Sequence, residues 1–277
     1  MRGQYPPVPL DRGWKGVFNS TGADYEFGTR AEGATTILLT CAKGRPDLLV
    51  TVATEEDEAG YDDPKVRLRH ARIATATAGK ASRKWGCGAH LGKPLRTVGL
   101  PVTDVESTPV HSATGTCAGL PGRRGTVTHA WESRRDGIAP LEKCVLGDGR
   151  THRNEEGDEE LVHSAHYDLN AYYGAYATER LAHERATGTG TGTGTGIGTG
   201  PPPGKGLEGE LPRGGYWRTA SCPGDSTPAF FTIVRPDLAD TFDTPSRGEA
   251  AYQRSALGAF TKQSAASHGC TPKTPKH

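Results

Sequence analysis

The side chains able to do chemistry concentrate in a few places, and the first is "LVHSAHYDLNAYYGAYA", Leu161–Ala177. His163 and His166 stand three apart, and Asp168 follows closely. On a helix the two imidazoles would share a face and could bind a metal, with Asp168 as third ligand. Yet Leu169, Ala171 and Tyr173 alternate with polar or aromatic neighbours, the pattern of a strand. Strand residues three apart point to opposite faces. A half-exposed, Tyr-rich strand is therefore the expectation. His163, His166 and Asp168 stay as the candidate metal group, with no catalytic or cofactor-binding residue assigned.

The second place is "TGTGTGTGTGIGTGPPPGKG", Thr187–Gly206. A phosphate-binding loop needs G-x-x-x-x-G-K-[ST] between a strand and a helix. Gly204 and Lys205 supply the G-K, but Thr199 stands where the first glycine belongs and Gly206 where the hydroxyl belongs. Strict alternation also forbids G-x-G-x-x-G. The tract follows the helix-like "YATERLAHERA" and runs into Pro201–Pro203, which no helix interior tolerates. It reads as a flexible linker. No nucleotide or other cofactor is expected.

The third is the cysteine set: Cys41, Cys87, Cys117, Cys144, Cys222 and Cys270. None forms a C-x-x-C pair, so zinc ribbons and thioredoxin-type sites are excluded. Disulfides or buried thiols remain. After Cys41 the chain reads "AKGRPDLLVTV", and after Cys222 "PGDSTPAFFTIV". Counted from each cysteine, Leu49, Val50, Thr51 and Val52 fall on Phe230, Phe231, Thr232 and Ile233. A polar insert follows in each case, then a helix-like segment ending in Gly86-Cys87 or Gly269-Cys270. In the second helix Tyr252, Ala256, Ala259 and Phe260 mark one apolar face. The two stretches read as an internal repeat of strand, Cys, strand, insert, helix, Gly-Cys. A bridge from helix end to strand start would contribute about 3–4 kcal/mol in the chain-entropy treatment. The middle pair, Cys117 and Cys144, reads as strand, Cys, turn, strand, then a strand holding the second Cys. Local pairing gives 41–87, 117–144 and 222–270, one of several connectivities the sequence allows.

Other constellations fall short. No G-x-S-x-G occurs. His268, two residues before Cys270, lacks an orienting partner. The acidic runs "EEDE" and "NEEGDEE" have nothing apolar beside them to raise a pKa. "NST", Asn19–Thr21, matches a glycosylation sequon. Trp14, Trp85, Trp131 and Trp217 are spread along the chain, as core anchors would be.

The elements that hold these residues must form small cores. Of 277 residues, 34% are hydrophobic, 7% aromatic and 38 are glycine, with a single Met. Such units need covalent help. The charge balance is even, 33 basic against 32 acidic. A dedicated nucleic-acid binder would carry a basic excess, so no nucleic-acid partner is expected. "KVRLRHAR" (Lys65–Arg72) and "GRRG" (Gly122–Gly125) read as solvated surface. No apolar run approaches the length of a membrane span.

The start, "MRGQYPPVPLDRGWKG", holds no apolar h-region, so no signal peptide is read in it. Disulfides nevertheless imply an oxidising compartment. The two agree if the true start lies upstream, placing the protein outside the cytoplasm, secreted or anchored. If Met1 is the real start, it is cytoplasmic. With "WKGVFNSTGADYEFGTRAEG" before the first Cys and "WRTASCPG" around the fifth, the Arg/Ala/Gly/Thr-rich chain resembles uncharacterised extracytoplasmic proteins of high-GC actinobacteria. The resemblance spans most of the chain outside the Thr-Gly tract. It implies export behind a signal or a single anchor, and it carries no activity or functional residues.

The expected fold is α+β: two or three small disulfide-stapled units of short antiparallel strands with one packed helix each. Residues 1–13 read as a Pro-rich stalk, 14–100 as the first strand-helix Cys unit, and 101–186 as a middle Cys unit with the Tyr-rich strand. Residues 187–213 read as a disordered linker and 214–277 as the last strand-helix Cys unit. The function expected is non-enzymatic binding or envelope interaction with an unidentified envelope or protein partner. The alternative is an enzyme of unknown class with a site between units near His163, His166 and Asp168.

Overall fold

Two helix-on-hairpin arrangements with matching covalent closure organise the chain. The structure, a computed structural model, describes residues 6–20, 31–56, 60–103, 106–153, 159–188, 207–211, 214–224, 227–236 and 246–272. In the first arrangement, β1 (Val8–Pro9), β2 (Gly16–Ser20), β3 (Ala31–Leu39) and β4 (Leu48–Glu56) form an antiparallel sheet in chain order. Helix α1 (Pro64–Lys84) lies across it. The helix begins where Asp63 accepts a hydrogen bond from the Lys65 amide (2.7 Å) and Pro64 occupies the first turn, both ordinary start signals. Its inner face is Ala71, Ala74 and Ala78, all fully buried against Phe18, Ile37 and Leu39.

The second arrangement uses β10 (Tyr216–Ser221), β11 (Ala229–Val234) and α3 (Arg247–Ser267). Ser246 caps α3 by accepting from the Glu249 amide, half of a capping box. Ala256, Leu257 and Phe260 are buried beneath it, and Tyr252 and Ala259 pack at the edge.

Both helices end alike. Gly86 and Gly269 adopt positive φ (60° and 67°), the left-handed conformation that lets a helix stop. The Cys87 amide donates to the Ser82 carbonyl and the Cys270 amide to the Ala265 carbonyl, each at 2.8 Å. Each Cys then bridges to the cysteine just past the first hairpin strand, Cys87 to Cys41 and Cys270 to Cys222. The third bridge joins Cys117 to Cys144, and no described cysteine is free.

The middle and C-terminal segments, expected as separate units, share one sheet. The middle segment supplies β5 (Thr108–Pro109), β6 (His129–Glu132), β7 (Leu141–Arg153) and β8 (Glu159–Tyr172). β8 pairs with β11 from Asp168↔Val234 to Tyr172↔Phe230. With β9 (Glu208–Glu210) and β12 (Thr271–Pro272) this gives an eight-stranded antiparallel sheet whose main order is β12-β10-β11-β8-β7-β6-β5, with β9 beside β10. The physical reason is alternation: Leu169, Ala171, Phe231 and Ile233 all face α3, so neither segment has a complete core alone. Helix α2 (Ala175–Gly188) follows Gly174 and covers the opposite face with Ala177 and Leu181 on Trp217 and Phe230. Tyr176 of α2 lies beside Thr36 of β3, and α2 also contacts β4 and β11, so α2 touches both sheets.

Three further expectations change. The supposed stalk includes β1, paired Val8↔Phe18, and Leu10 is only 1% exposed, because the prolines are followed by an apolar pair that the sheet edge can bury. The end of the expected linker is strand β9 with Leu211 buried; residues 189–206 lie outside the described ones. Cys117 sits in a turn and not after a strand. There the Glu132 carboxylate accepts from the amides of Thr114, Gly115 and Cys117 (2.8, 2.8 and 3.1 Å), replacing a strand ladder.

The separations closed by the bridges are 46, 27 and 48 residues. Replacing Cys41 and Cys87 by Ala should cost about 4 kcal/mol, the 222–270 pair the same, and 117–144 roughly half a kcal/mol less. Urea unfolding of the three double variants without reductant checks this ordering.

Candidate functional site

The Tyr-rich stretch is a strand, as its alternation implies, but an irregular one. Between Leu146↔Tyr167 and Gly147↔Ala165 the register of β7 and β8 shifts by one residue, and His166 is the extra one. Gly147 permits this bulge: a Cβ there would lie 1.9 Å from the Ser164 carbonyl oxygen. The bulge falls between His163 and His166. Backbone alternation alone therefore does not set their relation.

His166 and Asp168 are engaged by two different residues of β7. The His166 Nε2 lies 3.5 Å from the carboxylate of buried Asp148. Asp168 Oδ2 lies 2.7 Å from the Nζ of Lys143, itself 6% exposed. A carboxylate held on a buried ammonium is not available to a cation. His163 pairs in the backbone with Gly149, and its side chain lies outside the described ones. Among the described residues no three His, Cys, Asp or Glu side chains are grouped to hold a metal. Asn19 of the sequon pairs with Ala34 inside the first sheet, its amide oxygen buried. Gly204 and Lys205 lie outside the described residues.

A denser polar cluster, barely foreshadowed by any motif, lies on the α3 face. Glu142, 2% exposed, accepts from Ser264 Oγ (2.7 Å) and pairs with His268 Nε2 (3.1 Å). Arg135 Nε is 3.7 Å from the same carboxylate, and its other nitrogens reach Gln263 Oε1 and the Thr116 carbonyl. The Tyr173 hydroxyl meets Ser264 Oγ at 2.6 Å, and its ring stacks on His268 with centroids 3.7 Å apart. Serine, histidine and glutamate are thus in contact, but in an order that cannot activate a nucleophile. Proton abstraction needs the imidazole between hydroxyl and acid; here the carboxylate stands between the other two, and Ser264 is fully buried. The cluster instead fastens the last turn of α3, next to Cys270, onto β7 and β8. Its members come from separate segments, and although Tyr173, Glu142 and His268 each stood in or near a stretch already under scrutiny, no spacing in the sequence joins them.

Burial governs the tyrosines around the sheet. Tyr172 is pushed up to about 12, first by burial, with Arg180 opposing and Glu184 reinforcing. Tyr173 is raised further, by burial and then by Glu142. Tyr252 is raised by burial and by Tyr167. The distribution of tryptophans also departs from expectation: Trp14, Trp131 and Trp217 are core residues, but Trp85 is 55% exposed.

Compared with protein-family models, with curated proteins and with solved structures, the chain matches none. The class its own fold defines is a disulfide-stapled α+β protein whose two sheets are each covered by a helix ending in a bridge.

Two outcomes follow. Glu142→Ala leaves Ser264 Oγ and His268 Nε2 without their shared acceptor and Arg135 without its counter-charge, and should destabilise the protein by about 1–3 kcal/mol, read from the urea midpoint. The raised tyrosines stay neutral in the fold but ionise near pH 10 when unfolded. Their contribution is therefore complete below pH 10 and lost as pH rises toward 12, at about 1.4 kcal/mol per pH unit for each group. Phenolate absorbance and circular dichroism followed together should show the late-titrating tyrosines ionising only as the fold is lost.

Proposed function

We propose that this chain is a non-enzymatic protein of an oxidising compartment outside the cytoplasm, acting by binding at the cell envelope. The observation that carries the reading is the closure of all six described cysteines, with two bridges at equivalent points of two hairpin–helix units. Three bridges fit an oxidising environment, and among the described residues no helix is long and apolar enough to cross a membrane. The matching ends of α1 and α3 support a duplicated ancestral unit, and the sequence resemblance to exported actinobacterial proteins points to the same compartment. Ion pairs engage Glu142, Lys143, Asp148, His166 and Asp168 of the second sheet, which favours binding by an outer surface over chemistry in a cleft.

The experiment is non-reducing peptide mapping and cell fractionation of the protein expressed in a high-GC actinobacterium with its upstream region intact. Linked peptides 41–87, 117–144 and 222–270 in an extracytoplasmic fraction are the expected result. Six free thiols in a cytosolic fraction would overturn it.

A further inference from the structure

Charge is evenly balanced over the whole chain but not along it. From Pro64 to Thr103 there is no Asp or Glu, and the positive residues of that stretch leave the remainder of the chain acidic. Helix α1 carries most of them. With its alanine face buried, the helical period sends Lys65, Arg69, Arg72, Lys80, Arg83 and Lys84 to the outer side, where all six are exposed. The stripe runs the length of the helix, about 30 Å for its 21 residues. Among the described residues none of the six is in an ion pair with a carboxylate.

A neighbouring segment widens the face. Residues 88–98 run antiparallel beside α1: the Ala89 amide donates to Ser82 Oγ, Leu91 rests near Gly79, and Arg72 and Arg67 donate to the carbonyls of Leu95 and Val98. This segment adds exposed Lys93 and Arg96. Large apolar side chains stand among the cations. Ile73 is 51% exposed, Trp85 55% and Leu91 39%, three of the five most exposed large hydrophobics described. Leu68, Ile73 and Ala76 floor an open depression walled by Lys65, Arg69 and Arg72.

We infer that the outer face of α1 and its flanking segment docks on an anionic phospholipid bilayer. This rests on the envelope reading above and names the partner. Cations alone would suit any polyanion, and an exposed Trp could stack on a base or sugar ring, but a hydrated polymer has no use for projecting Ile73 and Leu91. A lipid headgroup layer does: phosphates meet the Lys and Arg ends while the apolar side chains settle between headgroups, with Trp at the polar boundary. The face is also rigid, since α1 is held by its alanine contacts and by the Cys41–Cys87 bridge beyond its last turn. Little ordering is left to do on binding.

The test uses the full, oxidised chain with vesicles of phosphatidylcholine containing 30% phosphatidylglycerol, and with phosphatidylcholine alone. Sedimentation should show binding to the anionic vesicles only, weakening as salt is raised. Trp85 emission should shift to the blue, the other three tryptophans being already buried. Since each cation near such a surface contributes about fivefold, R69E/K80E/R83E should lower partitioning at least a hundredfold with unchanged circular dichroism. Trp85→Ser should lower it severalfold, and Arg124→Glu, in the other basic cluster, should leave it unaltered. Equal binding to neutral vesicles, no binding at low salt, or an unaffected triple variant would each overturn the proposal. So would tighter binding to duplex DNA or heparin without the Trp85 shift, which would make the partner a polyanion. Free thiols in the mapped native protein would sink the envelope reading while leaving the vesicle result intact, so the two failures are separable.

Discussion

Both helix-bearing units depend on closing the C-terminus of a long helix against the strand beside it. Alanine supplies the inner face of α1, and an alanine face buries little area per residue. The backbone entropy of fixing a 21-residue helix is set against that modest gain. A left-handed glycine and a carbonyl five positions back seat the bridging cysteine against the hairpin, and the bridge keeps helix end and hairpin together in the unfolded ensemble too, so part of the cost is met before folding begins. The same device at α3 acts where the core is larger and aromatic, on Phe231 and Phe260. Covalent closure therefore matters most where side-chain packing is thinnest.

The second sheet solves a different problem. Its central strands carry charges on both faces, Glu142 on the α3 side and Lys143 on the other, adjacent in sequence and therefore on opposite sides. Each is matched from a neighbouring element, Glu142 by His268, Ser264 and Arg135, Lys143 by Asp168. Such pairs add little net stability over apolar packing, but breaking one is costly. They fix the register of β7 against β8 and the seating of α3 over both. The α2 helix, touching Thr36 of the first sheet while covering Trp217 and Phe230 of the second, joins the two sheets.

What could be read from the sequence was what local chemistry decides. Gly86-Cys87 and Gly269-Cys270 mark helix ends, and the Leu49–Val52 and Phe230–Ile233 runs mark strands. The joining of the middle and last segments was not legible. It rests on Leu169 meeting Ile233 across the Thr-Gly tract, a pairing no local signal encodes. His166 and Asp168 were correctly placed on a strand, but their partners Asp148 and Lys143 come from the adjacent strand, reached through a bulge that the sequence marks only as one more glycine. The exposure of Trp85 was equally hidden. A tryptophan beside a helix-ending glycine reads as an anchor, and only the packing of α1 shows that the inward positions of its last turns are already filled by Ala78, Ala81 and Ser82.

The three bridges join first to second, third to fourth and fifth to sixth cysteine, in chain order. A polypeptide emerging from its N-terminus therefore presents each cysteine with its correct partner before the next pair appears. Bridges closed in that order of emergence are already the native ones and leave no wrong pair to be exchanged. Consecutive pairing of this kind is a topology that a chain entering an oxidising space N-terminus first would complete one loop at a time.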